Sequence, residues 1–180
     1  MKQFGLVIVL LTGCSLLLSC EEKIKPSVAS AAAGKDLPSQ ESWNATITFT
    51  DSGRISGILH AGYIAGYDDK QTTLLDSNIT VDFYDELGKH TSVLTARKGH
   101  VDDVSHNLVA EGNVLVVSDS GTVLKTEILY WNNETQRVSS EEYVEITSPT
   151  EQIQGHGFES DRALLHYHIL RVTGQATKLE

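Results

Sequence analysis

The sequence predicts an all-β fold: an open, twisted β-jelly roll, or flattened β-sandwich, built from tandem pairs of strands. Three observations carry that expectation. Apolar and polar residues alternate with the period of two that a half-buried strand requires. One segment recurs about every thirty residues, the mark of a stack of like units. Proline occurs only at positions 26, 38 and 149, outside the alternating stretches, as a sheet that cannot accept it internally demands.

Residues 1–19 read as a lipoprotein signal peptide. Met1 and Lys2 give a positive start, Phe4 to Leu18 is almost wholly apolar, and Leu17-Leu18-Ser19-Cys20 places a small residue before a cysteine. Leu11-Thr12-Gly13-Cys14 competes with it, but cleavage there leaves only a stub of apolar segment, so Cys20 is the expected lipidation site. Glu21, Glu22 and Lys23 end the apolar run too early for a membrane-spanning helix, which needs about 20 residues. Lipidation uses the last cysteine in the chain and excludes a disulfide, while more than one acyl chain makes the membrane anchor durable.

The chain carries a net charge of −10, and removal of Lys2 with the signal makes it more negative still. An acidic domain lacks the electrostatic footprint for nucleic acid.

Residues 20–40, with Pro26, Gly34, Pro38 and an alanine-serine run, form a tether. As a flexible coil it spans about 25 Å on average. The β domain follows over residues 41–176, and residues 177–180 are a C-terminal tail.

Within the domain, Trp43, Ala45, Ile47 and Phe49 are expected on one face and Asn44, Thr46, Thr48 and Thr50 on the other. The alternation returns in Ile79-Thr80-Val81-Asp82-Phe83, in Val114-Leu115-Val116-Val117, in Leu124-Lys125-Thr126-Glu127-Ile128-Leu129-Tyr130 and in Val144-Glu145-Ile146-Thr147. The segments starting at Asp68-Asp69, Asp102-Asp103 and Asn132-Asn133 align as variants of one unit, with Leu74, Leu108, Val138 and Ile169 in equivalent places. Polar turns such as Asp85-Glu86-Leu87-Gly88 and Ser118-Asp119-Ser120-Gly121 end the strands, with glycine supplying the positive φ. A single unit cannot bury its apolar face, so neighbours must stack, and the stack has a first and a last edge.

Residue patterns for chemistry are sparse. There is no Gly-x-Ser-x-Gly elbow, His-Glu-x-x-His or phosphate-binding loop, so neither hydrolase nor nucleotide chemistry has support, and no cofactor or catalytic residue is expected. His166 and His168 would share one face of a strand, but without a third ligand they read as ordinary histidines and no metal is assigned. Gly155-His156-Gly157 reads as a β-bulge or corner, and the recurrent Asp and Asn pairs as turn formers.

Glu111-Gly112-Asn113-Val114, Gly121, Thr126, Leu129-Tyr130-Trp131, Ser139-Ser140, Val144 and Gly155-His156-Gly157 together resemble the LptC family of lipopolysaccharide-export proteins. The resemblance covers roughly residues 41–176. It implies an open β-jelly roll that accepts lipopolysaccharide from an inner-membrane ABC transporter. Such a protein passes the lipid edge to edge to a periplasmic LptA-like bridge. Lipid would contact an apolar groove lined by Ile47, Phe49, Ile79, Val81, Phe83, Val114, Val116, Val144 and Ile146, although the same residues also read as ordinary core. The terminal strand, about Leu164 to Val172, would be the edge offered by strand addition. Better-known members hold the membrane with an N-terminal helix, whereas this chain carries a lipobox. A lipobox alone leaves inner or outer membrane open, and the family implies the periplasmic face of the inner membrane. The rival reading is a structural or adhesive β-repeat lipoprotein with a packed core and no lipid conduit.

Overall fold

The computed structural model describes residues 37–174. Among these there is no helix, and eleven strands form one antiparallel sheet. They are β1 (Gln40–Asp51), β2 (Arg54–Tyr67), β3 (Thr72–Asp76), β4 (Ile79–Tyr84), β5 (His90–Ala96), β6 (Lys98–Asp102), β7 (Leu108–Ser118), β8 (Val123–Asn132), β9 (Arg137–Thr147), β10 (Gln152–Asp161) and β11 (His168–Val172). The expected all-β jelly roll is what the chain forms. Cys20 and the tether up to residue 36 lie outside the described residues, as does the tail.

Turn chemistry fixes the strand ends. The Asp85 carboxylate accepts from the amides of Leu87 and Lys89, both at 2.9 Å, and Gly121 closes its turn at φ 87° with its amide on the Ser118 carbonyl. Asp102 accepts from the Val104 and Ser105 amides, and the Asn132 side chain accepts from the Thr135 amide at 2.8 Å. The Ser105 amide, then its hydroxyl, hold the Asp102 carboxyl below the ordinary carboxylate range. These acidic and amide side chains therefore build turns.

A single line of irregularities folds the sheet into two walls. β2 pairs β4 through Gly57–His60 but β3 through Tyr63–Tyr67; β3 and β4 are separated at Ser77 and Asn78, both at φ 62°. Across that gap the Asn78 amide donates to the Arg97 carbonyl and the Arg97 amide to the Gly112 carbonyl. β7 slips register between Glu111 and Val114, β8 between Thr126 and Tyr130, and β10 between His156 and Phe158. Gly157, at φ 76°, takes the left-handed conformation that the bulge in β10 needs, so the Gly-His-Gly triplet is a corner. Bulged carbonyls near this line find side-chain partners: Ser140 donates to the Ile128 carbonyl at 2.7 Å, and Thr126 to the Tyr143 carbonyl at 3.0 Å. That explains the buried member of the serine pair, since an unpaired buried carbonyl is costly.

The first wall contains β4, β5 and the halves of β1, β2, β7, β8, β9, β10 and β11 on their side of the corner. The second contains β3, β6 and the remaining halves. The Phe83 and Trp131 rings, 5.4 Å apart, belong to opposite walls. Between the walls lie Leu59, Leu94, Leu124 and Ile146 from the first and Leu75, Leu129 and Phe158 from the second, all at most 2% exposed.

The corner line also explains three departures from simple alternation. Trp43 is expected inside but is 66% exposed, because Asn44 at φ 49° breaks the pleat and turns it onto Tyr63. Leu75, not Leu74, points inward, since Tyr67 pairs with Thr72 and sets the parity of β3. In β8, Leu124 and Thr126 face the core, and after the slip Leu129 does so, leaving Tyr130 outside.

Candidate functional site

The nine groove residues expected from the sequence all face the space between the walls, at different depths. Ile79, Val81, Val114, Val116, Val144 and Ile146 are buried, at 0–3% exposure. Phe83 is buried nearer the opening, while Ile47 and Phe49, on β1, are half-buried and pack against the cluster. The structure gathers Phe49, Val81 and Phe83 at one opening and leaves Val144 and Ile146 deep inside.

That opening lies between the turns of the two walls. Phe49, Ser56, Gly57, Val81 and Phe83 line it from the first wall and Val101, His106, Leu108, Trp131 and Asn133 from the second, around a cavity of about 40 Å³. Its cause is local. Gly57 pairs with Phe49 on one side and Phe83 on the other, so the middle strand presents no side chain between two rings. Sequence reading missed Gly57, Trp131, Val101 and Leu108 because the register slip in β8 hides which face Trp131 takes, and a glycine interrupts the count.

Farther along, the space is roofed. Residues 162–167 leave β10 on the second wall and reach the turns of the first. Ser92 donates to the Arg162 carbonyl at 2.7 Å and Ser118 to the Ala163 carbonyl at 2.6 Å. The Tyr167 hydroxyl donates to the Glu151 carboxylate. Desolvation and that carboxylate raise the Tyr167 phenol above its ordinary value. Leu164 inserts beneath, 1% exposed, at φ 54°. Asp161 anchors the strap: partial burial pushes its carboxyl up, but the Leu165 amide and His166 outweigh this and hold it below its usual range. His166 sits 2.7 Å from Asp161 within this strap, so it does not share a strand face with His168, as the sequence had suggested. The terminal strand correspondingly starts at His168, not Leu164, because the intervening residues turn to bond the first wall.

Among the described residues, two strands have one neighbour each, β1 on β2 and β11 on β10. On β11, Leu170 and Val172 are 69% and 57% exposed, while Ile169 pairs with inward Phe158. On β1, the Tyr63 hydroxyl bonds Glu41, which pushes that phenol up to about 12. Among the described residues no group of three or more His, Cys, Asp or Glu side chains could hold a metal ion.

A family model described as lipopolysaccharide-assembly, LptC-related, matches residues 5–176. The chain belongs to the LptC family. No curated protein matches it. LptC membership places the chain in lipopolysaccharide transport, among transport components associated with the periplasmic side of the inner membrane. The strings that carried the resemblance fall on the fold's irregular positions: Gly112, Asn113, Thr126, Ser140 and Gly157 all lie along the corner line.

Proposed function

We propose that this LptC member is a non-catalytic transfer component. It takes lipopolysaccharide from an inner-membrane ABC transporter and passes it through the apolar space between its walls to a periplasmic LptA-like bridge. Energy comes from ATP hydrolysed by the partner subunits. The observation that carries the reading is the largely apolar mouth at Phe49, Gly57, Phe83 and Trp131, whose neighbours Val81, Val101 and Leu108 belong to the apolar cluster that fills the space between the walls. Tails entering there gain apolar contact at roughly 25 cal/mol per Å² removed from water. The groove residues that line the path are Ile47, Phe49, Ile79, Val81, Phe83, Val114, Val116, Val144 and Ile146. The walls part as tails replace the side-chain contacts between them.

In this reading β11 is the donor edge for strand addition, with unpaired backbone groups and exposed Leu170 and Val172 to set the register. Cys20 carries the acyl anchor that holds the domain on the periplasmic face of the inner membrane.

The test is a photoreactive residue at Phe83, with Ile146 as a second site, in cells with an active transporter. An energy-dependent adduct with lipopolysaccharide at either position is expected. A folded protein that gives none at both overturns the conduit and favours a packed structural module.

A further inference from the structure

An amphiphile travelling between the walls cannot take its polar head inside, because unpaired polar groups are strongly disfavoured in an apolar interior. Its tails lie between the walls, and its head projects through the slot between the two rows of turns. A segment bonded to both rows interrupts that slot. Residues 162–167 are such a segment: they leave β10 on the second wall and are latched to the first by Ser92 on the Arg162 carbonyl, 2.7 Å, and Ser118 on the Ala163 carbonyl, 2.6 Å.

The strap also fills the space under it. Leu164 is 1% exposed and belongs to the core cluster, yet it holds φ 54°, a left-handed conformation that a leucine rarely adopts. Its burial compensates that strain, so the side chain occupies apolar volume of the kind a lipid tail would occupy. On one side of the strap is the open mouth at Phe83 and Trp131; on the other, Ile169 faces inward on β11.

We propose that residues 162–167 gate the slot, with Leu164 standing in for an acyl chain and Ser92 and Ser118 as the latch, and that the strap must lift for lipid to pass from the mouth to the β11 edge. The gate rests on the conduit reading above, and the experiment separates the two. The full chain, in cells with its transporter, carries a photoreactive residue at Phe83 or at Ile169. In one arm Ser118→Cys with Ala163→Cys locks the strap on oxidation and frees it on reduction. In the other, Ser92→Ala with Ser118→Ala removes the latch.

Locking is expected to leave the lipopolysaccharide adduct at Phe83 unchanged and to lower the adduct at Ile169 about tenfold, reversibly, which is the change in open population that such a ratio measures. Removing the latch is expected to raise the Ile169 adduct about threefold on the same arithmetic, again without effect at Phe83. An Ile169 adduct indifferent to both arms, with the Phe83 adduct present, overturns the gate and leaves the conduit standing. Absence of adduct at Phe83 and Ile169 in the unlocked protein overturns the conduit and the gate with it.

Discussion

The two ends of the slot between the walls are built differently. Around Phe49, Gly57, Phe83 and Trp131 the rows of turns face each other across an apolar opening, and no strap crosses it. Around Ser92, Ser118 and Ser148 the same rows are bridged by residues 162–167, with a leucine driven into the space beneath. The walls themselves are alike, with alternating strands bent at the same corner. What differs is a missing side chain at one end and an added loop at the other, so access to one continuous interior is set by local features at its rim.

If that contrast is right, isoleucines on the same wall should differ sharply in worth. Ile146 is fully buried, whereas Ile47 lies on β1 beside the mouth and is only half-buried. Ile146→Ala should destabilise by about 2–5 kcal/mol, the cost of lost transfer energy plus a cavity. Ile47→Ala should cost about half as much on the same account. Urea unfolding of the two variants checks this, and equal losses would mean that the β1 end is as tightly closed as the centre.

The strap offers the next contrast, between neighbours in sequence. Leu164→Ala should cost about 2–3 kcal/mol, since the alanine keeps the strained φ and leaves a cavity. Leu165, 60% exposed, should be replaceable by alanine within about 0.5 kcal/mol. The same unfolding assay reads both. A Leu164 variant as stable as the parent would show that the leucine is not a plug.

The all-β class, the repeat and the turn residues were legible in the sequence because each rests on local chemistry: period-two runs, Asp85 and Asp102 as turn acceptors, and Gly121 at positive φ. The nine inward candidates were legible for the same reason, since from Ala45, Ile79, Val114 and Val144 onward each run alternates without a break. What could not be read was anything that depends on the corner. Asn44 turns Trp43 out, the slip in β8 exchanges Tyr130 for Leu129 and Trp131, and Tyr67 opposite Thr72 exchanges Leu74 for Leu75. One residue of slip flips a strand's faces, and the sequence marks the slip only with residues that serve equally well in turns. The strap was invisible because its bonds join residues far apart in the chain, such as Ser92 and Arg162, through a main-chain carbonyl that no side-chain pattern reveals.

The strapped end should also answer to acid. The Asp161 carboxyl is held low by the Leu165 amide and by His166, against the opposing effect of burial. A carboxyl whose folded value is depressed contributes stability that is present above its unfolded value, about 3.9, and is lost as pH falls through the folded one. Acidification from pH 5 to about pH 2 should therefore lower the protection factor of the Leu165 amide, its exchange rate taken relative to the intrinsic rate at each pH, and Asp161→Asn should flatten that dependence. Since the His166 partner is largely open to solvent and the carboxyl itself only partly buried, the effect should be smaller than the loss of Leu164.

The smallest effect expected has the opposite sign and lies at the mouth. A β-carbon on Gly57 would sit 3.6 Å from the Asp82 carbonyl oxygen and 3.7 Å from the Phe49 ring, both ordinary contacts, and the residue has no positive φ. Gly57→Ala should therefore raise stability by about 0.4–1 kcal/mol, chiefly by lowering the entropy of the unfolded chain. The same methyl group projects into the notch between Phe49 and Phe83, so the lipopolysaccharide adduct at Phe83 should weaken although the fold has gained. Gly155, at the β11 end, has no such room, because a β-carbon there would run into the Arg171 carbonyl, and its alanine variant should lose stability. A Gly57 variant that gains stability and keeps its full adduct would mean that lipid does not enter between the two phenylalanines. A variant that loses both would mean that the notch is already filled by motion of the rings.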